Sequence, residues 1–419
     1  MMRKIIAIAL CLCVLAPLLS GCGGSIQEYE EPEDATGTET TEPAETEETA
    51  EPDGGEDAPA EPAGTETTEP AEPTTKPGLG YAAYGPDEIT VSYNDQDITW
   101  REYYYWLSYY AGYMQYMTAM GAPFSGWDAN DYAEDMTNGE LVLSSAADSM
   151  FQYHAIGTLA EKEGLTVDQD ALQSAYESSA DSYGDGDGEC TEEEAAAYEE
   201  YLDGQFVDRE LFDFMTGAGL LWSQLSEALY GKDGAEVSDE EALAYAEELD
   251  LLACKHILLM TVDPETGEAL SEEEIAEKKA EADELYKQLA DVQDDPEALE
   301  ALFDELMNEH SEDTGLAYYP DGYLFTAGVM VPVFEETTAD LEEYGLSEPV
   351  ESDYGYHIIL RLPVDPDGSF TDASGSSSPL RAAAASAALA ETLEGEVDAA
   401  SVVWKDGFET VDIAEIFGE

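Results

Sequence analysis

Hydrophobic positions change their spacing several times along this chain, and each change marks an element. Ile89-Thr90-Val91-Ser92-Tyr93 and Gln96-Asp97-Ile98, joined by Asn94-Asp95, predict a β-hairpin. Thr99 with Glu102 three residues on reads as a helix start. The helix that follows is crowded with Tyr103, Tyr104, Tyr105, Trp106, Tyr109, Tyr110, Tyr113 and Tyr116. Aromatics cover most of its circumference, so it is either wrapped by packing partners or lines a groove. Helical spacing resumes from Leu141 to Glu163, with Gly164 as the stop. It continues from Asp168 to Ala180, from Thr191 to Leu202, and from Gln205 to Tyr230. Ser238 with Glu241 caps a last helix that runs to Leu249. This succession of apolar stripes predicts an all-α domain over residues 86–250.

The pattern breaks at Leu251. Leu252-Ala253-Cys254-Lys255-His256-Ile257-Leu258-Leu259 is a short apolar run, and Tyr356-His357-Ile358-Ile359-Leu360 is another. Between them lie two helical patterns, then Ser311-Glu312-Asp313, Gly322-Tyr323-Leu324-Phe325, and Met330-Val331-Pro332-Val333-Phe334-Glu335. Strand, helices, strand, helix and strand pair predict a compact mixed unit over residues 251–364. Its first and last strands carry two of the four histidines in the chain. From Asp365 to Ser378 the sequence is polar and rich in Gly, Ser, Asp and Pro, and reads as a linker. Leu380 to Leu393 is an Ala-rich helix, and Val402 to Phe417 is short and mixed. This tail, residues 365–419, is too small to fold alone.

Charge narrows the function classes. Lys plus Arg number 14 against 97 Asp plus Glu, a net charge of −83. Phosphate backbones need a basic surface, so nucleic acid is excluded as a partner, and anionic headgroups are repelled. Such a charge suits a body that must stay unaggregated, or one that works beside a polycationic or ion-rich matrix. At the front, Arg3-Lys4, an apolar stretch from Ile5 to Leu18, and Leu19-Ser20-Gly21-Cys22 resemble a bacterial lipoprotein signal. The apolar stretch is short for a membrane span. Residues 1–21 would be removed and the Cys22 thiol would carry the lipid. Residues 22–85 are mostly Glu, Thr, Pro, Ala and Gly, and cannot bury enough surface to offset ordering entropy. They predict a disordered acidic tether; its part from Gly23 to about Gly80 would be about 40 Å long as a coil and stretch toward about 180 Å as its charges repel. Cys11 and Cys13 leave with the signal. Cys190 and Cys254 remain, either as a pair or as two free or buried thiols.

Lys255-His256-Ile257-Leu258, Ser311-Glu312-Asp313, the run from Gly328 to Glu335, Pro349-Val350 and Gly355-Tyr356-His357-Ile358-Ile359 resemble, in order and spacing, a parvulin-type peptidyl-prolyl cis/trans isomerase domain. With the lipoprotein start, the chain resembles PrsA-type extracytoplasmic foldases of Gram-positive bacteria. The resemblance implies an α+β fold: a small sheet flanked by helices, inserted in an all-α chaperone-like domain on which the tail packs back. It implies His256, Asp313, His357 and Ser352 as the catalytic set. Met330 and Phe334, four apart at the start of a predicted helix, would form the proline pocket, with Phe325 or Leu324 as a further wall. Neither cofactor nor metal is implied. Substrates would be unfolded secreted polypeptides with X–Pro bonds, met at the outer face of the membrane that holds Cys22. The chemistry asks for no more. The barrier is amide resonance, about 18–20 kcal/mol, and a site lowers it with a dry apolar pocket and hydrogen-bonding groups that favour the twisted amide.

Two departures from the parvulin pattern matter. Tyr319-Pro320-Asp321-Gly322-Tyr323 stands where many parvulins have Gly-Gly-Asp-Leu-Gly. The loop from Thr261 to Glu268 is acidic where phosphate-directed members are basic, which disfavours phosphopeptides. Two other functions stay open at this point: a holding chaperone whose isomerase unit is inactive, and a Ca²⁺-binding surface lipoprotein. The second rests on Asp181 to Glu192, which has EF-hand spacing but Tyr183 at the third position. His154, among Phe151, Ile156 and Leu159, reads as a core or groove histidine.

Overall fold

The computed structural model describes residues 80–264 and 266–418. The signal segment, Cys22, the tether up to residue 79 and Glu265 lie outside the described residues. In chain order the elements are β1 (Ile89–Tyr93), β2 (Gln96–Thr99), α1 (Trp100–Ala119), α2 (Asn138–Lys162), α3 (Gln169–Tyr183), α4 (Glu192–Gly204), α5 (Arg209–Tyr230), α6 (Asp239–Glu248), β3 (Leu252–Met260), α7 (Glu272–Ala290) and α8 (Pro296–His310). They continue with β4 (Tyr323–Phe325), α9 (Pro332–Asp340), β5 (Val350–Glu351), β6 (Gly355–Leu362), β7 (Ser369–Thr371), β8 (Ser377–Pro379), α10 (Leu380–Ala399), β9 (Val402–Trp404) and α11 (Ile413–Phe417). The fold is mixed, with two compact units. One takes in the chain up to Met150, Gln169–Thr216 and Ser401 onward; the other takes in Phe151–Asp168 and Gly217–Ala400.

In the first unit β2, β1 and β9 form an antiparallel sheet. The predicted hairpin is present: Asn94 and Asp95 take φ of 48° and 65°, the left-handed pair that a two-residue turn needs. Thr99 caps α1 by accepting the Glu102 N–H. The aromatic helix is mainly core. Trp100, Tyr103, Tyr104 and Trp106 are fully buried, while Tyr113, Tyr116 and Met120 near its end are 40, 61 and 70% exposed. Tail residues supply part of the wrapping, with Trp404 against Tyr103 and Phe417 against Tyr104. Trp127 Nε1 donates to the Gly418 carbonyl at 2.7 Å. The helix expected from Gln205 begins only at Arg209, because Phe206 sits at φ 63° and ends the preceding turn.

In the second unit six strands lie in the order β5-β6-β3-β4-β7-β8. Antiparallel β3 and β6 form its centre, with His256 opposite Ile359 and Leu258 opposite His357. Period-two alternation sends successive side chains to opposite faces. Ile257, Leu259, Ile358 and Leu360 pack on Leu285 and Leu289 of α7 and on Leu299 and Phe303 of α8. Cys254, Ile359 and Phe325 face the other way, onto Phe334 of α9. Lys255 shares the α8 face. It is buried, and its ammonium is held by Glu300 at 3.0 Å and Asp304 at 2.7 Å. Both faces of β3 are thus covered, which is why its sequence reads as a continuous apolar run.

The stretch expected to be a linker, Asp365 to Ser378, folds instead. β7 pairs in parallel with β4, β8 completes a hairpin on β7, and Phe370 is buried among Val237, Ala242, Ala246, Leu251 and Leu380. A three-residue strand with one apolar side chain leaves no periodic signal, and composition alone points to coil. α10 packs on α6 through Ala384 and Ala385, and Arg381 ties Asp239 to Asp367. Cys190 and Cys254 are both free thiols. Among the described residues no helix is long and apolar enough to cross a membrane.

Gly322 sets the entry of β4. Its φ is +101°, and a Cβ there would lie 2.5 Å from the Cys254 carbonyl oxygen. Gly322→Ala should therefore cost about 1–3 kcal/mol, read as a lower midpoint in urea unfolding. An unchanged midpoint would mean that the turn re-forms without a glycine.

Candidate functional site

β4 covers β3 only as far as Cys254, so the far end of β3 has a free edge on that side. Ser311 and Glu312 fill it. Ser311 Oγ accepts the Leu258 N–H at 3.1 Å, the Glu312 carboxylate accepts the Met260 N–H at 2.7 Å, and the Glu312 N–H donates to the Leu258 carbonyl at 2.8 Å. This clip delivers Asp313 to His256, and their Oδ2 and Nε2 atoms are 2.8 Å apart. On the other side the β3–β6 register brings the His256 and His357 rings into parallel contact, with Nδ1 to Nδ1 at 3.1 Å. His357 Nε2 then meets Ser352 Oγ at 2.7 Å. Asp313, His256, His357 and Ser352 form one unbroken polar chain inside an apolar layer.

Phe334 stands edge-on to both imidazoles, at 5.0 Å and 5.4 Å, and packs against Phe325. At 0% and 2% exposure, Phe325 and Phe334 are the floor of the site rather than its rim. Met330 is partly buried on the same cluster. It does not lie on α9 as expected, because Val331 is the cap and Pro332 the first helical residue. The turn before α9 is held by Glu335, whose carboxylate accepts the Gly328 and Met330 N–H groups at 2.9 and 2.8 Å. Leu324 is not part of the site. One residue from Phe325 on a strand, it points to the opposite face and packs toward Leu251, Phe370 and Leu380.

Donor counting orders the chain. Burial alone would raise Asp313, but hydrogen bonds from His256, Tyr323 and the Gly315 N–H outweigh it and hold the carboxyl well below the usual range. An ionised Asp313 accepts from His256 Nε2–H. The two Nδ1 atoms share one hydrogen between them, and His357 Nε2 meets the Ser352 hydroxyl. Burial, reinforced by the neighbouring His256, pushes His357 down to about 3, so it stays uncharged at neutral pH. The Cys254 thiol in the same layer is pushed up to about 12 by burial and remains protonated.

One participant was not anticipated. The Tyr323 hydroxyl donates to Asp313 Oδ2 at 2.6 Å. The only sequence signal for it was that it breaks the Gly-Gly-Asp-Leu-Gly pattern. Elsewhere, Asp181, Asp185 and Asp187 bring carboxylate oxygens within 4.8 Å of one another. Glu189 and Glu192, which the EF-hand spacing would also use, are not in that group, and Glu194 instead closes a capping box on Thr191. His154 is buried within α2.

Residues 256–362 match the family described as Rotamase: PPIC-type PPIASE domain. Foldase protein PrsA 1 of Bacillus cereus is 41% identical over 75 residues, 17% of this chain and 26% of that protein. Foldase protein PrsA of Oceanobacillus iheyensis is 51% identical over 59 residues, 14% of this chain and 19% of that protein. The chain thus spans about a quarter or less of the length of these relatives. Peptidyl-prolyl cis-trans isomerase pin1 of Rhizopus delemar is 32% identical over 114 residues, 27% of this chain and 74% of that protein. The crystal structure of PrsA from Bacillus anthracis covers 59% of this chain and 94% of its own at 18% identity, with a TM-score of 0.21, too loose a likeness to bear on the argument. Through the match over residues 256–362 and the extent of the shared sequence with pin1, the chain belongs to the PPIC-type peptidyl-prolyl isomerase family.

Proposed function

We propose that this protein is a peptidyl-prolyl cis/trans isomerase acting as a foldase on secreted polypeptides, held at the outer face of the cytoplasmic membrane through a lipid on Cys22. The observation that carries the reading is the Asp313–His256–His357–Ser352 chain laid across Phe334. Isomerisation moves no proton and forms no covalent bond with the enzyme. The twisted amide loses conjugation, and its proline nitrogen becomes more basic. Met330 and the aromatic floor take up the pyrrolidine ring and exclude water. His256, fixed by Asp313, and the uncharged His357, backed by Ser352, offer oriented hydrogen-bonding groups to the twisted amide. The exposed Tyr113, Tyr116 and Met120 give the helical part an apolar end suited to an unfolded chain. The net charge of −83 supports clients other than nucleic acid and disfavours phosphopeptides.

The purified chain should accelerate cis/trans exchange of an Ala-Pro peptide. His357→Ala should keep peptide binding while the rate falls about 10–100-fold, the effect of losing a hydrogen-bonding group. Phe334→Ala should lose binding as well, with about 3–5 kcal/mol of stability because the side chain is buried, so circular dichroism accompanies the kinetics. A folded wild-type chain no faster than solvent would overturn the isomerase reading.

Acid should attack the same network. His357 sits at about 3 in the fold against a usual 6.5, so between these values only the unfolded chain takes up the proton. Its contribution is complete above about pH 6.5 and is lost as pH falls toward 3, at up to about 1.4 kcal/mol per pH unit. Protonating the many surface carboxylates relieves repulsion and acts in the opposite sense, so the useful quantity is the difference from His357→Gln. The urea midpoints of the two proteins should draw together as pH is lowered from about 7 to about 4; a constant gap would mean that His357 is not kept neutral.

For the anchor, Cys22→Ala should shift the protein from the membrane fraction to the soluble one. Continued membrane fractionation, with no lipid mass on the wild type, would remove Cys22 from the proposal.

A further inference from the structure

The segment from Tyr319 to Tyr323 departs from the parvulin pattern, and it carries into the site a side chain which that pattern lacks. The Tyr323 hydroxyl donates at 2.6 Å to Asp313 Oδ2, the oxygen that also meets His256 Nε2 at 2.8 Å. The other carboxylate oxygen accepts the Gly315 N–H at 2.9 Å. Three donors on two oxygens fix both the rotation and the tilt of the carboxylate. Two glycines make room for this. A Cβ at Gly315 would lie 2.0 Å from the Tyr323 hydroxyl oxygen. The positive φ at Gly322 lets the strand close on the Cys254 carbonyl and sets Tyr323 opposite Cys254. The ring stands edge-on to His256 at 5.6 Å and rests on Tyr319 at 4.9 Å, so it is braced on both sides.

We propose that Tyr323 is a positioning residue of the isomerase site: its hydroxyl holds the Asp313 carboxylate against His256 and thereby sets which nitrogens of the His256–His357 pair carry hydrogen. This rests on the isomerase reading above. Without the hydroxyl, Oδ2 keeps a single donor, the carboxylate is free to turn, and the imidazole pair can exchange tautomers. The ionisable groups facing Asp313 are His256 on β3, His357 on β6 and Tyr323 on β4. Its neighbour Glu312 is turned away, to the Met260 N–H and to Lys278. Burial opposes the charge on Asp313, so each donor removed lets its pKa climb.

The test is steady-state isomerisation of an Ala-Pro peptide by the full chain, comparing wild type, Tyr323→Phe, Asp313→Ala and the double variant. Tyr323→Phe should lower kcat about 5–20-fold, with KM within about twofold because Met330, Phe325 and Phe334 are untouched. It should also move the acid limb of kcat to higher pH, and add nothing in the Asp313→Ala background. Gly315→Ala, whose Cβ would lie 2.0 Å from the hydroxyl oxygen and 3.2 Å from Asp313 Oδ1, pushes the Tyr323 ring off the carboxylate and should reproduce the loss; it also supplies the comparison if Tyr323→Phe unfolds. An additive loss in the double variant, or unchanged kcat and pH profile in Tyr323→Phe and Gly315→Ala beside an active wild type, overturns this assignment alone. An inactive wild type overturns the isomerase reading and this assignment together.

Discussion

The pairing of β3 with β6 is the constraint on which the rest of the second unit depends. Its register runs from Ala253 opposite Leu362 to Met260 opposite Gly355, and it places two imidazoles from residues 101 positions apart within hydrogen-bonding distance. A slip of β3 by one residue would turn His256 onto the α7–α8 face, away from His357, and drive Ile257 into the site. Register is therefore worth more than any single contact. It is secured by apolar layers on both faces and by the buried Lys255, clamped from α8 by Glu300 and Asp304. Burial lowers the affinity of that lysine for its proton, yet its two carboxylates more than restore it. A lone charge there would be costly, and the pair is satisfied only when strand and helix are correctly aligned.

Much of this could be read from the chain, because local rules and the fold agree. The hairpin at Asn94-Asp95, the capping box at Ser238 and the Gly164 stop at φ 72° all appear where turn and cap chemistry place them. The positions of His256, His357, Asp313 and Ser352 followed from family order, and the structure brings all four together. What stayed hidden depends on long-range geometry. Leu324 and Phe325 are both apolar, and only the sheet decides which faces α9. Met330 and Phe334 share a cluster although a proline lies between them to start the helix. Tyr323 gave no sign of reaching Asp313, since that contact depends on the space left by Gly315. The aromatic crowding of α1 was ambiguous for a similar reason: the residues that bury its first turns include Trp404 and Phe417, some 300 positions later in the sequence.

The electrostatics of the site are set by exclusion as much as by attraction. A chain with 97 acidic residues has no shortage of carboxylates, yet the one that matters is singled out by three donors and partial burial. His357, one imidazole further along, is kept neutral by the same dry surroundings. Function in such a site comes from holding dipoles still. Most of the visible architecture around it, from the Ser311–Glu312 clip to the Glu335 brace under Met330, serves to immobilise groups that take no part in bond making.

The hairpin of β7 and β8 bears on how the protein is made. β4 is only three residues long, and one of its edges is covered by β7, which arrives some 45 residues later and leads through β8 directly into α10. During synthesis the sheet is thus left with an open edge until the start of α10 has emerged, and an unpaired edge invites pairing with another chain. The assembly of a protein proposed to guard others against misfolding would then pass through the same hazard. A segment that looks like a mere connector is the part that ends the exposure.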